Sequence, residues 1–280
     1  MQAVAIFGVG LIGGSFASAL KKRGFTGRIL GVGSPETLRR ARDLGVIDEE
    51  ASLESAAAQA DLLYLAQPIR AILDTLPRLA AVARPDALIT DAGSTKARIV
   101  AIAEAAHARC QFLGGHPLAG KETRGVENAD ADLFEGRPYV VTPRTPRDLE
   151  TPQARDLLDW IKRIGARPVT LDADEHDRML AYSSHLPQLI STALSALLES
   201  GPEGMERVAG PALLDATRLA LSPYEIWSDI LATNRPAIEA ALESFSMRLH
   251  QLRQGLGAGD LRGEFAAGAD FAARLRKAEL

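Results

Sequence analysis

Five apolar residues, Ala3-Val4-Ala5-Ile6-Phe7, run straight into Gly8-Val9-Gly10-Leu11-Ile12-Gly13, and from Leu11 to Lys22 apolar residues recur at helical spacing. A buried strand that ends in G-x-G-x-x-G and opens a helix leaves few folds available. In that setting Gly8 permits the tight turn, Gly10 lets backbone approach a pyrophosphate, and Gly13 lets helix and strand pack closely. The helix start at Leu11 and Ile12 directs free N–H groups and a partial positive charge at the same place. The fingerprint alone is shared by many chemistries. Its strand–turn–helix context predicts a dinucleotide site rather than a bare structural turn.

The rest of the first half repeats the alternation. Short apolar runs at 28–32, 62–66, 87–91 and 111–113 read as strands, with weaker ones at 137–142 and 168–171. Helical patterns at 35–44, 69–82, 94–108 and 152–164 separate them. Strands apolar on both faces, alternating with helices, predict a parallel sheet covered on both sides. Beyond about Asp172 strand signals vanish. The expectation is an α/β chain: a Rossmann-type, doubly wound, mostly parallel sheet over 1–171 and an all-helical substrate-binding and dimerisation domain over 172–280. Apolar stripes at Ala193-Leu194-Ala196-Leu197-Leu198 and Ile238-Ala241-Leu242-Phe245-Leu249 serve internal packing or a second copy of the chain. A homodimer is expected by architectural analogy.

Composition narrows the function classes. A net charge of −4 over 280 residues gives no whole-protein field for nucleic acid. The single cysteine, Cys110, rules out an intrachain disulfide framework and reads as a small buried residue. No uncharged run approaches the roughly 20 residues of a membrane span, and the N-terminus lacks the organisation of a signal peptide. A cytoplasmic setting is expected.

At the end of the second strand, where an acidic residue would hold a ribose 2′-hydroxyl, the chain has Gly33 followed by Ser34. A carboxylate there would repel a 2′-phosphate; its absence permits one. Ser34 can donate a hydrogen bond, and Arg39 or Arg40 can pair with the phosphate, unless the arginines only decorate a solvated helix face. NADP is therefore expected over NAD. Gln67 and Pro68, which close the third strand, complete the expected cofactor-binding set of Gly8, Gly10, Leu11, Ile12, Gly13, Gly33, Ser34 and Arg39.

Three stretches exceed what a scaffold needs. Asp91-Ala92-Gly93-Ser94-Thr95-Lys96 and Gly114-Gly115-His116-Pro117-Leu118-Ala119-Gly120-Lys121-Glu122 follow strands at the sheet edge where ligands bind. Oxidising an alcohol removes a hydride and a proton, and a neutral imidazole can take that proton. His116 is the candidate base and Ser94 the hydrogen-bonding group that orients imidazole or alcohol. Ser183-Ser184-His185-Leu186-Pro187 lies in a helical pattern that Pro187 should kink. Arg218 has fork geometry suited to a carboxylate, although spacing alone favours a surface salt bridge. His107, His176 and His250 show no metal-ligand spacing, so no metal is expected. His176, beside Asp174, Glu175 and Asp177, reads as solvated helix surface. No G-x-S-x-G elbow suggests a hydrolase.

Five motifs in order, GVGLIGGS (8–15), DAGSTK (91–96), GGHPLAGKE (114–122), SSHLPQ (183–188) and TRLALSPYEIW (217–227), resemble the prephenate/arogenate (cyclohexadienyl) dehydrogenase family of tyrosine biosynthesis over nearly the whole chain. The resemblance implies NAD(P)-dependent oxidative decarboxylation of prephenate to 4-hydroxyphenylpyruvate, or of arogenate to tyrosine. It implies His116 as base at the ring C4 hydroxyl, Ser94 as its partner, His185 on the substrate side and Arg218 as carboxylate binder. Gly33 departs from NAD-using relatives, and Arg124 stands where many have a smaller residue. No appended regulatory domain is expected in a chain of this length. Two alternatives stay open: another β-hydroxyacid-type dehydrogenase on the same architecture, and a non-catalytic NADP-sensing protein.

Overall fold

Strand β1 (Ala3–Phe7) is buried along its whole length, and its alternate residues divide between two cores in the computed structural model, which describes residues 1–278. Val4 and Ile6 join Phe16, Leu20 and Tyr64 on one face, while Ala3, Ala5 and Phe7 join Leu63, Leu65, Ile72 and Leu76 on the other. A period-two strand can divide its side chains this way only when helices cover both faces of the sheet.

Helices and strands alternate from there. Helix α1 (Leu11–Lys22), β2 (Arg28–Val32), α2 (Pro35–Asp43), β3 (Glu49–Glu50), α3 (Leu53–Gln59), β4 (Leu62–Leu65), α4 (Ile69–Val82) and β5 (Leu88–Asp91) come first. They are followed by α5 (Ala97–Ala105), β6 (Gln111–Pro117), β7 (Pro138–Thr142), α6 (Pro152–Arg163) and β8 (Arg167–Thr170). The eight strands form one sheet in the order β3-β2-β1-β4-β5-β6-β7-β8. Every pairing is parallel except β6 with β7. Strand order reverses between β1 and β4, the crevice where such sheets bind ligands.

Helical structure takes over with α7 (Ala173–Leu180), α8 (Leu186–Glu199), α9 (Pro211–Thr217), α10 (Tyr224–Thr233), α11 (Arg235–Ala258) and α12 (Arg262–Ala278). By compactness the chain divides into Met1–Arg235 and Pro236–Leu280, so α7 to α10 belong to the same unit as the sheet. Among the described residues no helix is long and apolar enough to cross a membrane.

Three local features differ from the sequence reading. The expected strand at 111–113 continues to Pro117 because β6 changes partners: Gln111–Leu113 pair parallel with β5, and Gly114–Pro117 pair antiparallel with β7. A side chain at Gly115 would put its Cβ 2.6 Å from the Asp91 carbonyl oxygen, so close strand packing accounts for that glycine. The helix expected from 94 begins only at Ala97, leaving Ser94 and Thr95 in the connection. Before Pro187 the chain forms one wide π-type turn, Ala181–His185, and then continues as α8, so the proline widens the helix without ending it.

Candidate functional site

The carboxyl ends of β1, β4, β5 and β6 bring four stretches to one edge of the sheet. Gly8 has φ +87°, and a Cβ there would come within 2.8 Å of the Ala66 carbonyl oxygen. A Cβ on Gly13 would lie 2.3 Å from the Gly8 carbonyl oxygen and 2.7 Å from Ile6, so this glycine lets α1 approach β1. Nothing lies within 4 Å of the corresponding position at Gly10, which leaves open space over the N-terminus of α1. No side chain caps that helix and no acid sits in its first turn. Its N–H groups are thus available to an anion. The Oε1 atom of Gln67 is buried there without a hydrogen-bond partner among the described residues. An open cradle, uncapped N–H groups and a buried acceptor suit a dinucleotide.

A cavity of about 310 Å³ adjoins the turn and is lined by Ile12, Gln67, Pro68, Ser94, Arg124 and Asp229 among others. It joins the expected cofactor residues to Ser94. At the ribose end, Ser34 caps α2, its Oγ accepting from the Thr37 N–H at 3.4 Å. Arg40 pairs with Glu127 at 3.7 Å, whereas Arg39 is exposed and has no ion pair among the described residues. A Cβ on Gly33 would meet only the Leu38 side chain, at 3.7 Å, so packing does not forbid a larger residue there.

His116 projects from β6 into a buried polar network. Its Nδ1 lies 2.8 Å from Nε2 of His176, and Nδ1 of His176 lies 2.8 Å from Oδ1 of Asp177. The Asp177 carboxylate also accepts the backbone N–H groups of Lys96 at 2.7 Å and Ala97 at 2.9 Å, capping α5 from a distant part of the chain. His176 is therefore not the solvated surface residue its acidic neighbours suggested: it is fully buried, on the inward face of α7 with Asp177 and Leu180. Behind His116, the buried Lys96 ammonium is paired with Asp91 and donates to the Gly115 carbonyl at 2.6 Å. Asp91 in turn accepts from the Gly115 N–H at 3.1 Å. Gly115, next to His116, is thus held at both its N–H and its C=O. Sequence reasoning marked Lys96 and Asp91 only as parts of a motif and missed His176 and Asp177. The i, i+4 spacing of His176 and Leu180 was the available signal, obscured by the charges around it.

Burial holds the His116 imidazole well below its ordinary range, helped by the nearby His176, Lys96 and His185. It is neutral at pH 7. His185, in the wide turn, is lowered to about 4, mainly by burial, with Asp177 opposing the shift. Its Nδ1 faces the Asn234 amide nitrogen at 3.2 Å, and its ring meets Trp227 edge to face.

Ser94, expected to orient the imidazole, makes no hydrogen bond to His116, whose ring partner is His176. It lines the cavity beside the turn. Arg218 is 61% exposed and pairs with Glu122 at 3.8 Å. It lines a separate groove of about 970 Å³ with Leu198, Leu213 and Leu214. Within one chain, Ser94 is brought to the nucleotide turn, His116 and His185 share the network around Asp177, and Arg218 meets only the far end of the stretch carrying His116. Among the described residues no group of three His, Cys, Asp or Glu side chains is arranged to hold a metal ion.

Residues 16–170 match the family model for the prephenate dehydrogenase nucleotide-binding domain, and residues 172–267 match that for the prephenate dehydrogenase dimerization domain. The chain is 34% identical to a prephenate dehydrogenase of Lactococcus lactis subsp. cremoris over 260 residues, 90% of this chain and 70% of that one. It is 32% identical to a cyclohexadienyl dehydrogenase of Zymomonas mobilis, covering 92% of this chain and 89% of the relative. The crystal structure of prephenate dehydrogenase from Aquifex aeolicus, in complex with hydroxyphenyl propionate and NAD+, superposes with TM-score 0.88 at 31% identity and 98% coverage of both chains. With the nucleotide turn, the buried histidine network and both family domains along one sequence, the chain belongs to the prephenate dehydrogenase family.

Proposed function

We propose that this chain catalyses the oxidative decarboxylation of a cyclohexadienol, prephenate or arogenate, in tyrosine biosynthesis. The observation that carries the reading is the placement of His116: a neutral imidazole at the carboxyl end of β6, with Nδ1 engaged by His176, leaving Nε2 for a substrate hydroxyl. A bound nicotinamide supplies the hydride acceptor. Nε2 of His116 takes the proton of the ring C4 hydroxyl as the C4 hydride departs. The C–C bond to the ring carboxylate breaks, CO2 leaves, the bonding pair completes the aromatic ring, and the C4 oxygen recovers its proton from His116. His185, held by Asn234 in the wide turn, supplies a hydrogen bond to the substrate. Arg218, loosely paired with Glu122, is free to exchange that partner for a substrate carboxylate. Ser94 adds a hydroxyl between the nucleotide turn and the reacting ring.

The proposed cofactor is NADP+ in preference to NAD+. Gly33 offers no carboxylate to repel a 2′-phosphate, and Arg39, on the adjoining helix, has no ion pair among the described residues. The proposed assembly is a homodimer through the helical region, supported by exposed apolar side chains at Leu197, Leu214, Leu221 and Tyr224. The lone, buried Cys110 is compatible with the reducing cytoplasm in which we place the reaction. The test is a four-way assay of prephenate or arogenate with NAD+ or NADP+. Turnover is expected, faster with NADP+. No reduced nucleotide in any combination removes the enzymatic reading and favours a nucleotide-sensing protein.

A further inference from the structure

Two histidines in one site need opposite chemistry if the function proposed above holds, and this inference rests on that reading for their roles. A base at the C4 hydroxyl must present a bare ring nitrogen. A group that anchors an anionic substrate must present an N–H. Neutral imidazole can do either, and which it does depends on what holds its other nitrogen.

We propose that Asp177 sets His116 and His185 in opposite tautomers. Its carboxylate, acting through His176, leaves His116 with a bare Nε2, and its backbone carbonyl, acting through Asn234, leaves His185 with a protonated Nε2.

The first arm starts from donors that cannot reverse. The backbone N–H groups of Lys96 and Ala97 point at the Asp177 carboxylate, which accepts both. A carboxylate so placed accepts from its third neighbour as well, so Nδ1 of His176 carries the hydrogen at 2.8 Å. The other nitrogen of His176 is then a lone pair, and His116 donates to it through Nδ1–H at 2.8 Å. The remaining nitrogen of His116 is bare. The second arm starts from the Asp177 carbonyl, which accepts one Asn234 amide hydrogen at 2.7 Å and so fixes which way the amide points. The second amide hydrogen faces Nδ1 of His185 at 3.2 Å, so that nitrogen is a lone pair and the hydrogen sits on Nε2. His176, Asp177, His185 and Asn234 are all buried, so bulk water does not compete for these groups. Asp177, His176 and Asn234 are positioning residues. None needs to touch substrate.

Long-range nitrogen–proton spectra of the full-length, ligand-free protein with 15N-labelled histidine read tautomers directly, signals being assigned by single His→Gln variants. His116 is expected with hydrogen on Nδ1 and none on Nε2, and His185 with the reverse. The same tautomer on both, or a doubly protonated His176, overturns the proposal. Asp177→Ala removes the acceptor that fixes His176, so His116 should populate both tautomers and kcat should fall about tenfold or more with little change in KM. Asn234→Asp should reverse His185 and raise KM more than it lowers kcat. His176→Gln, whose amide oxygen can still accept from His116, should retain far more turnover than His176→Leu. Losses of activity with unchanged tautomers overturn the proposal by showing a merely structural role. Opposite tautomers in a protein that turns over no cyclohexadienol would remove the proposed function while leaving the tautomer assignment standing.

Discussion

The ring of His116 meets that of His176 through a 2.8 Å nitrogen–nitrogen hydrogen bond inside the protein, with the ring planes 68° apart. One residue comes from a strand of the sheet and the other from the first helix after it. The proposed chemistry depends on this junction, and the predictions test it from several sides.

Replacing His116 by Asn removes the proposed base but keeps a small polar side chain on β6. Turnover should fall by about 100-fold or more while NADP+ affinity changes little. Steady-state kinetics together with fluorescence titration of the nucleotide check this. Near-normal turnover would exclude His116 as the base.

Because burial depresses His116 well below its ordinary value of 6.5, the acid limb of the kcat/KM profile should lie below pH 6.5. The same depression has a consequence for stability. The unfolded chain binds protons at histidine near pH 6.5, whereas folded His185 does so only near 4. Between those values the unfolded state holds more protons, so stability falls as pH falls through the window, by on the order of 3 kcal/mol from His185 alone. Denaturant melts at pH 7 and pH 4.5 should show the loss, and His185→Gln should reduce it.

Gly13 and Gly10 should respond differently to the same substitution. Gly13→Ala drives a methyl into the Gly8 carbonyl and Ile6, and should cost about 1–3 kcal/mol of stability. Gly10→Ala meets nothing in the protein, so the melting temperature should hold while nucleotide affinity drops about tenfold. Calorimetry and nucleotide titration separate the two effects.

Lys96→Met would leave the buried Asp91 carboxylate without its ammonium partner. Breaking a buried pair on one side costs about 3–5 kcal/mol. The variant should unfold at markedly lower denaturant concentration. If it folds, it should also lose turnover, since Gly115 beside His116 loses the Lys96 hydrogen bond.

Cofactor choice can be moved from the ribose end. Gly33→Asp has room beside Leu38 and should shift the kcat/KM ratio toward NAD+. Arg39→Ala should weaken NADP+ and leave NAD+ nearly unaffected. Equal losses with both nucleotides would place Arg39 outside the phosphate site.

Much of this architecture is legible in residue order alone. Apolar runs without alternation at Ala3–Phe7 and Leu62–Leu65 announce doubly covered strands, and the glycine turn fixes where the first crossover begins. His116 was legible because glycines and a proline at a strand end have little packing reason to surround a histidine. Asp177 and His176 were not, because five charged or polar residues in a row on a helix, Asp174 to Arg178, look solvated until the helix is known to turn that face onto α5. Local pattern also cannot reveal a helix cap supplied from 80 residues away, nor that β6 changes partners at Gly114. Both depend on contacts that exist only after the sheet is assembled.

The cap on α5 has a further consequence during synthesis. The nucleotide turn and all eight strands leave the ribosome before Asp177 does, and Asn234 follows later still. A nascent chain can therefore gather its glycine turn and sheet while His116 on β6 still lacks the neighbours that engage its ring. The buried network around His116 closes only once the chain has been made past residue 234.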